Sequence, residues 1–218
     1  MGEHNDRRKL VVGFVRKRIV QLQRGYLSSA GKSWASAQLA CLRRAASSAP
    51  GADGDIWAIE FEGIPEELLG ATEEPSAGEW AVHLGLTLYA VHQQSKRTEM
   101  YRANDPKAGQ YYGLGNAVKR LALGDSSSVQ ELGEMPRRFA AVVTAQSMEE
   151  VAHYTRQLVQ QLRDRDLQLD HALLAGQLYD YCNPYRRDGV RLMWAREYAR
   201  SLARGSEHEQ ASQDSNAD

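Results

Sequence analysis

From position 76 to 94 the sequence reads SAGEWAVHLGLTLYAVHQQ, and no side of a helix drawn through it is polar. Ser76 and Glu79 form a capping-box pattern that starts such a helix. Trp80, Val82, Leu84, Leu86, Leu88 and Val91 then fall on every face of it. A helix that is apolar all round forms the centre of a core. The run is too short to span a bilayer. His83 and His92 lie on it with no acidic or Cys partner at metal-ligand spacing, so they read as core or interface histidines.

The flanking segments supply the wrapping helices. Val11, Val15, Ile19 and Leu22 recur at three- and four-residue intervals and predict a helix over 7–27. Ser33 is the expected N-cap of a second, reaching about Ala46, with Trp34, Leu39 and Leu42 inward and Arg43-Arg44 at its end. Residues 47–55 read as a loop. IWAIEF (56–61) fits a strand or a helical turn, and the surrounding helices favour the turn. Pro65 at a first helical position, with Glu66 and Glu67 after it, predicts a helix that Gly70 ends. Downstream, 135–144 carries Phe139, Val142 and Val143 inward. Ser147 and Glu150 open a helix with Val151, Thr155, Leu158 and Leu162 in register. Asp170 caps the next, over Leu174, Leu178 and Tyr181, and Pro184 starts the last, over Val190, Trp194, Tyr198 and Leu202. No strand hairpin or βαβ unit is recognisable. The expected fold is all-α, a helical bundle protein with two helical lobes. Residues 1–125 form the N-terminal lobe and include the basic 96–123 loop and helix. A C-terminal bundle follows at 126–204 after the Asp125-Ser126-Ser127-Ser128 linker, and 205–218 is a disordered acidic tail.

Charge is segregated along the chain. Residues 1–49 carry ten Lys/Arg against Glu3 and Asp6, and residues 50–95 carry nine carboxylates with no Lys or Arg. Such asymmetry suits partners of opposite sign. The polar start lacks a secretory pattern, and Cys41 and Cys182 read as buried, reduced and structural; both point to the cytoplasm. A disulfide between the two cysteines is the alternative.

Chemistry is harder to find. Gly113-Leu114-Gly115 resembles the start of a dinucleotide fingerprint, but position 118 is Val and no strand precedes it. There is no Walker lysine, G-x-S-x-G, H-E-x-x-H or zinc spacing. Asp164, Asp166, Asp170, Asp180 and Asp188 each have simpler roles as caps or solvated charges than as Mg2+ ligands. No enzyme activity, cofactor or metal is expected. The stronger constellation is cationic: Arg43, Arg44, Lys96, Arg97, Arg102, Lys119, Arg120, Arg137 and Arg138 sit at helix ends or loops. Arg137 and Arg138 occupy a helix N-terminus, where cations oppose the dipole. Tyr101, Tyr111 and Tyr112 lie among them on what reads as a flexible, turn-rich loop. Cations interleaved with aromatics suit the backbone of a single-stranded polyanion.

The runs GLGNAVKRLAL (113–123), MPRRFAAVVTAQSMEEVAHYTRQLVQQLR (135–163) and LDHALLAGQLYDYCNPYRRDGVRLMWAREYAR (169–200), with WASAQLACLRRA (34–45), resemble the small subunit of the type I-E CRISPR complex Cascade, the CasB family. The likeness covers roughly 20–204. It implies an all-helical, two-lobed antiviral-defence protein without catalytic activity, present beside a second copy of itself in an RNA-guided complex. Its implied partners are the backbone and large subunits and DNA, chiefly the displaced single strand of an R-loop. The family's basic surface matches Arg43-Arg44, Lys96-Arg97, Lys119-Arg120 and Arg137-Arg138. Near Lys119 the family often has its Arg where this chain has Asn116. A protein-only scaffold or adaptor is the alternative reading.

Overall fold

The computed structural model describes the backbone of residues 2–124 and 137–214, with side chains as far as residue 200. Among these the chain is all-α: nine helices and three single 3-10 turns, with only two isolated β-bridges, Tyr101 to Leu169 and Asp105 to Gln110. The 125–128 linker lies outside the described residues.

The apolar helix, α4 (Ala77–Gln93), is the axis of the molecule. Ser76 and Glu79 close the capping box, with Glu79 N–H donating to Ser76 Oγ at 3.1 Å and Ser76 N–H to Glu79 Oε2 at 2.6 Å. From Trp80 to Gln93 every residue of α4 is buried. Its Leu84, Leu88 and Val91 enter one apolar cluster and its Val82, Leu86 and Tyr89 another. Each such Leu or Val contributes about 1.5–3 kcal/mol by leaving water. The second cluster takes Val11, Val15, Ile19 and Leu22 of α1 (Gly2–Leu27) and Leu39 and Leu42 of α2 (Lys32–Ala45). The first takes Phe139 and Val142 of α6 (Arg137–Thr144), Val151, Leu158 and Leu162 of α7 (Met148–Asp164), and Val190 and Trp194 of α9 (Arg187–Asp214). The next helix, α8 (His171–Tyr181), serves both clusters, with Leu174, Leu178 and Tyr181 in the first and Ala172, Ala175 and Tyr179 in the second.

Several local expectations are shifted. Helix α2 begins at Lys32 with no side-chain cap, and Ser33 lies inside its first turn. The turn is set by Gly31, where a Cβ would stand 2.8 Å from the Gly25 Cα. Trp34 is 43% exposed rather than inward. IWAIEF is helical, a 3-10 turn followed by α3 (Trp57–Glu60). Pro65 precedes only one 3-10 turn, Glu66–Leu68, because Ser76 Oγ captures the Leu68 carbonyl at 2.6 Å and turns the chain into α4. This segment is bound to the core by a buried contact of 2.7 Å between Glu60 Oε1 and His83 Nδ1. The two cysteines are free, and burial pushes the Cys182 thiol up to about 12. The helical backbone of α9 continues past Arg204, where the sequence predicts a disordered tail, to Asp214.

The Gly113-Leu114-Gly115 pattern opens α5 (Leu114–Leu123), and its purpose is steric. A Cβ on Gly115 would lie 2.1 Å from the Trp194 carbonyl, and one on Gly113 2.5 Å from the Glu197 carboxyl carbon. The start of α5 therefore lies directly on α9. Glu197 accepts the Gly115 N–H at 2.9 Å and the Gln177 Nε2–H at 2.7 Å, while Gln177 Oε1 accepts the Trp194 indole N–H at 2.8 Å. Burial pushes the Glu197 carboxyl up, against these hydrogen bonds.

His92 and His171 are fully buried with Nδ1 and Nε2 2.9 Å apart. One ring must donate and the other accept, so the two cannot both be protonated. Burial holds His92 down at about 3 and His171 well below its ordinary value, with the His92 ring adding to the second effect.

Gly115→Ala is predicted to cost about 3 kcal/mol and to lower the melting temperature by about 5–10 °C, read by thermal unfolding. The histidine pair sets a pH dependence. Below the unfolded value near 6.5 the unfolded chain takes up protons that the folded chain refuses, so stability is intact above about pH 6.5 and falls toward pH 3. His92 accounts for about 2 kcal/mol of that loss by pH 5, and His92→Gln should remove that share from a denaturation series.

Candidate nucleic-acid interface

The 96–123 stretch is pinned to the core at several points, which corrects its reading as a flexible loop. Buried Gln93 donates to the carbonyls of Lys96 (3.3 Å) and Thr98 (2.9 Å) and accepts the Met100 N–H at 3.1 Å. Gln23 of α1 accepts the Tyr101 N–H at 3.1 Å and donates to the Tyr101 carbonyl at 3.3 Å. Asp170, while capping α8 through the Leu173 N–H, also accepts the Asn104 N–H at 2.9 Å. Burial pushes its carboxyl up, opposed by those two N–H donors. The tyrosines are occupied from within. Tyr101 is buried, Arg102 and Arg120 each lie 5.5 Å from the centre of the Tyr112 ring, and Arg200 lies 5.7 Å from that of Tyr111.

The nine cations separate into three groups. Lys119 and Arg120 turn inward. Lys119 is 1% exposed, its ammonium 4.8 Å from the Tyr198 ring centre, and Arg120 donates to the carbonyls of Tyr111 (2.9 Å) and Gln168 (3.2 Å). Burial lowers the Arg120 pKa, opposed by the Tyr112 phenol. A second group surrounds the pinned loop. Lys96 pairs with Asp166 at 2.8 Å, Arg97 and Arg102 line one hollow with Gln168, and Arg102 lines another with Arg24 of α1. Arg24 continues into a groove with Arg16 and Lys17. The third group lies at the other end of the surface. Arg43 and exposed Arg44 end α2, Arg44 bonding Cys41 Sγ at 3.3 Å and Asp55 at 3.1 Å; exposed Arg137 and Arg138 start α6.

What joins the second and third groups is α7. His153, Arg156, Gln160 and Arg163 are three or four residues apart and share one face of that helix. Arg156 donates to the Ser47 hydroxyl just after α2, and Arg163 donates to Gln94 Oε1 at 3.2 Å just after α4. Arg138 reaches Gln157 on the same helix at 3.1 Å. The two arginines of α7 are about 10 Å apart along its axis. Neither they nor Arg16, Lys17 and Arg24 belong to the nine candidates. Their signal in the sequence is a cation repeatedly placed off the apolar stripe.

The model of the family described as CRISPR-associated protein Cse2 matches residues 38–198. The chain belongs to that family. CasB from Thermobifida fusca has a crystal structure with 31% sequence identity, a TM-score of 0.67, and coverage of 87% of this chain and 97% of that one. A Cse2-family CRISPR-associated protein from Thermus thermophilus shares the fold at 23% identity and a TM-score of 0.56, covering 85% of this chain and 97% of its own. No curated protein sequence matches. Membership of the Cse2/CasB family makes the chain a small subunit of the type I-E complex Cascade. All nine candidate cations fall inside the matched span. No helix among the described residues is long and apolar enough to cross a membrane.

Proposed function

We propose that this Cse2-family chain is a non-catalytic subunit that stabilises an R-loop by holding the displaced DNA strand along a basic surface. The observation that carries this reading is the α7 face. Arg156 and Arg163 connect Arg43, Arg44, Arg137 and Arg138 at one end with Lys96, Arg97 and Arg102 at the other. Pinning the loop sets those cations before a strand arrives, so less ordering entropy is lost on binding. An R-loop is nearly balanced in base-pairing energy, so modest backbone contacts tip it. With cations off the apolar stripe and no sequence-reading motif, the attraction is to phosphate and independent of sequence. Lys119 and Arg120 act in this reading as supports for α5 and Tyr112. The subunit would act in the cytoplasm, beside a second copy and the backbone and large subunits. Among the described residues no three His, Cys, Asp or Glu converge as a metal site.

A second reading, a protein-only adaptor, draws on the acidic side. There Trp57 is 55% exposed and Leu69 44%, amid Asp55, Glu62, Glu66 and Glu67. The two readings separate on one variant. Replacing Lys96, Arg97, Arg137 and Arg138 by Glu is predicted to leave complex assembly intact and to weaken R-loop binding. Its salt dependence should flatten by about 0.7 in log–log slope for each phosphate that is no longer neutralised. Failed assembly, with unchanged DNA affinity in any complex that forms, would favour the adaptor.

A further inference from the structure

A cavity of about 250 Å3 opens between the end of α2 and the outer face of α7. Trp80 and Ala152 form apolar parts of its wall, and Ser47, Glu149, His153 and Arg156 supply polar ones. Their charges select what can enter. A phosphate or carboxylate drawn to Arg156 would meet the Glu149 carboxylate, and an ammonium would meet Arg156. Arg156 already bonds the Ser47 hydroxyl and His153 the Gln157 amide. A neutral, flat group bearing donors and acceptors can therefore enter beside Glu149 without bringing in a second charge and lie against the apolar wall. The surroundings carry the opposite preference. Arg43 and Arg44 lie in the turn of α2 just before the cavity, and Arg138 bonds Gln157, whose amide is 2.7 Å from His153 Nε2. Anionic groups are favoured outside the cavity and a neutral ring within it.

We infer that this cavity takes one unpaired nucleobase of the bound strand, an inference that rests on the strand-binding reading above. The strand's phosphates follow Arg43, Arg44 and Arg138 while a single base leaves the stack and enters between Trp80 and Ala152. A cavity of this size has room for one purine and not for a stacked pair. The contact adds affinity without adding to salt dependence, because no further phosphate is neutralised.

The test uses the assembled RNA-guided complex on R-loop DNA whose displaced strand carries 2-aminopurine at one position at a time. With the unaltered chain, one position should differ in fluorescence from its neighbours. Ala152→Phe, which fills the cavity without changing charge, should abolish that difference and speed R-loop dissociation roughly tenfold, with the salt slope unchanged. His153→Leu, at an exposed position remote from the core, should reduce the same signal in a chain whose folding is not in question. If both variants keep the wild-type fluorescence pattern and lifetime while Arg43→Glu with Arg44→Glu shortens the lifetime, the nucleobase site is wrong and strand binding stands. If the arginine reversals also change nothing, the strand-binding reading falls with it. If folded Ala152→Phe chain no longer joins the complex, the cavity receives a side chain of a neighbouring subunit and the nucleobase assignment is overturned.

Discussion

The Glu197 carboxylate, half-buried between α5, α8 and α9, connects the parts of the fold that position the surface. It receives the first turn of α5 through the Gly115 N–H and α8 through Gln177, which in turn holds the Trp194 indole. A carboxylate at a helix N-terminus is favoured by the dipole, and accepting two N–H groups offsets much of its desolvation. The contact exists only because residues 113 and 115 have no side chain. With α5 set in this way, Arg120 reaches back to the carbonyls of Tyr111 and Gln168, and Tyr112 becomes the ring against which Arg102 lies. A hydrogen-bond network within the core thus fixes the position of cations on the rim.

The surface follows from that rigidity. Lysines and arginines on free loops lose rotamer and backbone entropy when they bind; here Gln93, Gln23 and Asp170 have already ordered the segment that bears three of them. Helix α7 then supplies a straight element between the two ends of the surface. Its inner residues Val151, Leu158 and Leu162 belong to the core, so its outer arginines inherit a fixed spacing. The internal ion pairs Lys96–Asp166 and Arg44–Asp55 lie partly in solvent and are weak. They orient the cations without holding them strongly.

Much of this architecture was legible in the sequence where the determining interactions are local. The capping residues Ser76, Ser147 and Asp170 and the apolar spacing of Val11, Val15, Ile19 and Leu22 depend on neighbours within a turn or two. What was not legible depends on pairings across tens to hundreds of residues. Nothing near Lys119 announces that Tyr198 will cover it, and nothing near Trp34 says that it will face outward. The glycines of 113–115 were visible as glycines, but their need to admit α9 was not. For the candidate surface, residue types and helix-end positions marked the groups at α2, α6 and the 96–102 loop. The arginines of α7 that join them looked like ordinary exposed charges until α2 and α4 were seen to end against that helix.

The proposal that the α7 face runs beside DNA rests on the cations gathered along that helix. Gln160 lies midway between Arg156 and Arg163 and offers a direct probe. With a photoreactive benzoylphenylalanine in place of Gln160, irradiation of the assembled complex on R-loop DNA should cross-link the displaced strand, and a probe at Glu66 on the acidic side should not. Cross-linking from Gln160 to another protein subunit in place of the displaced strand would contradict the account.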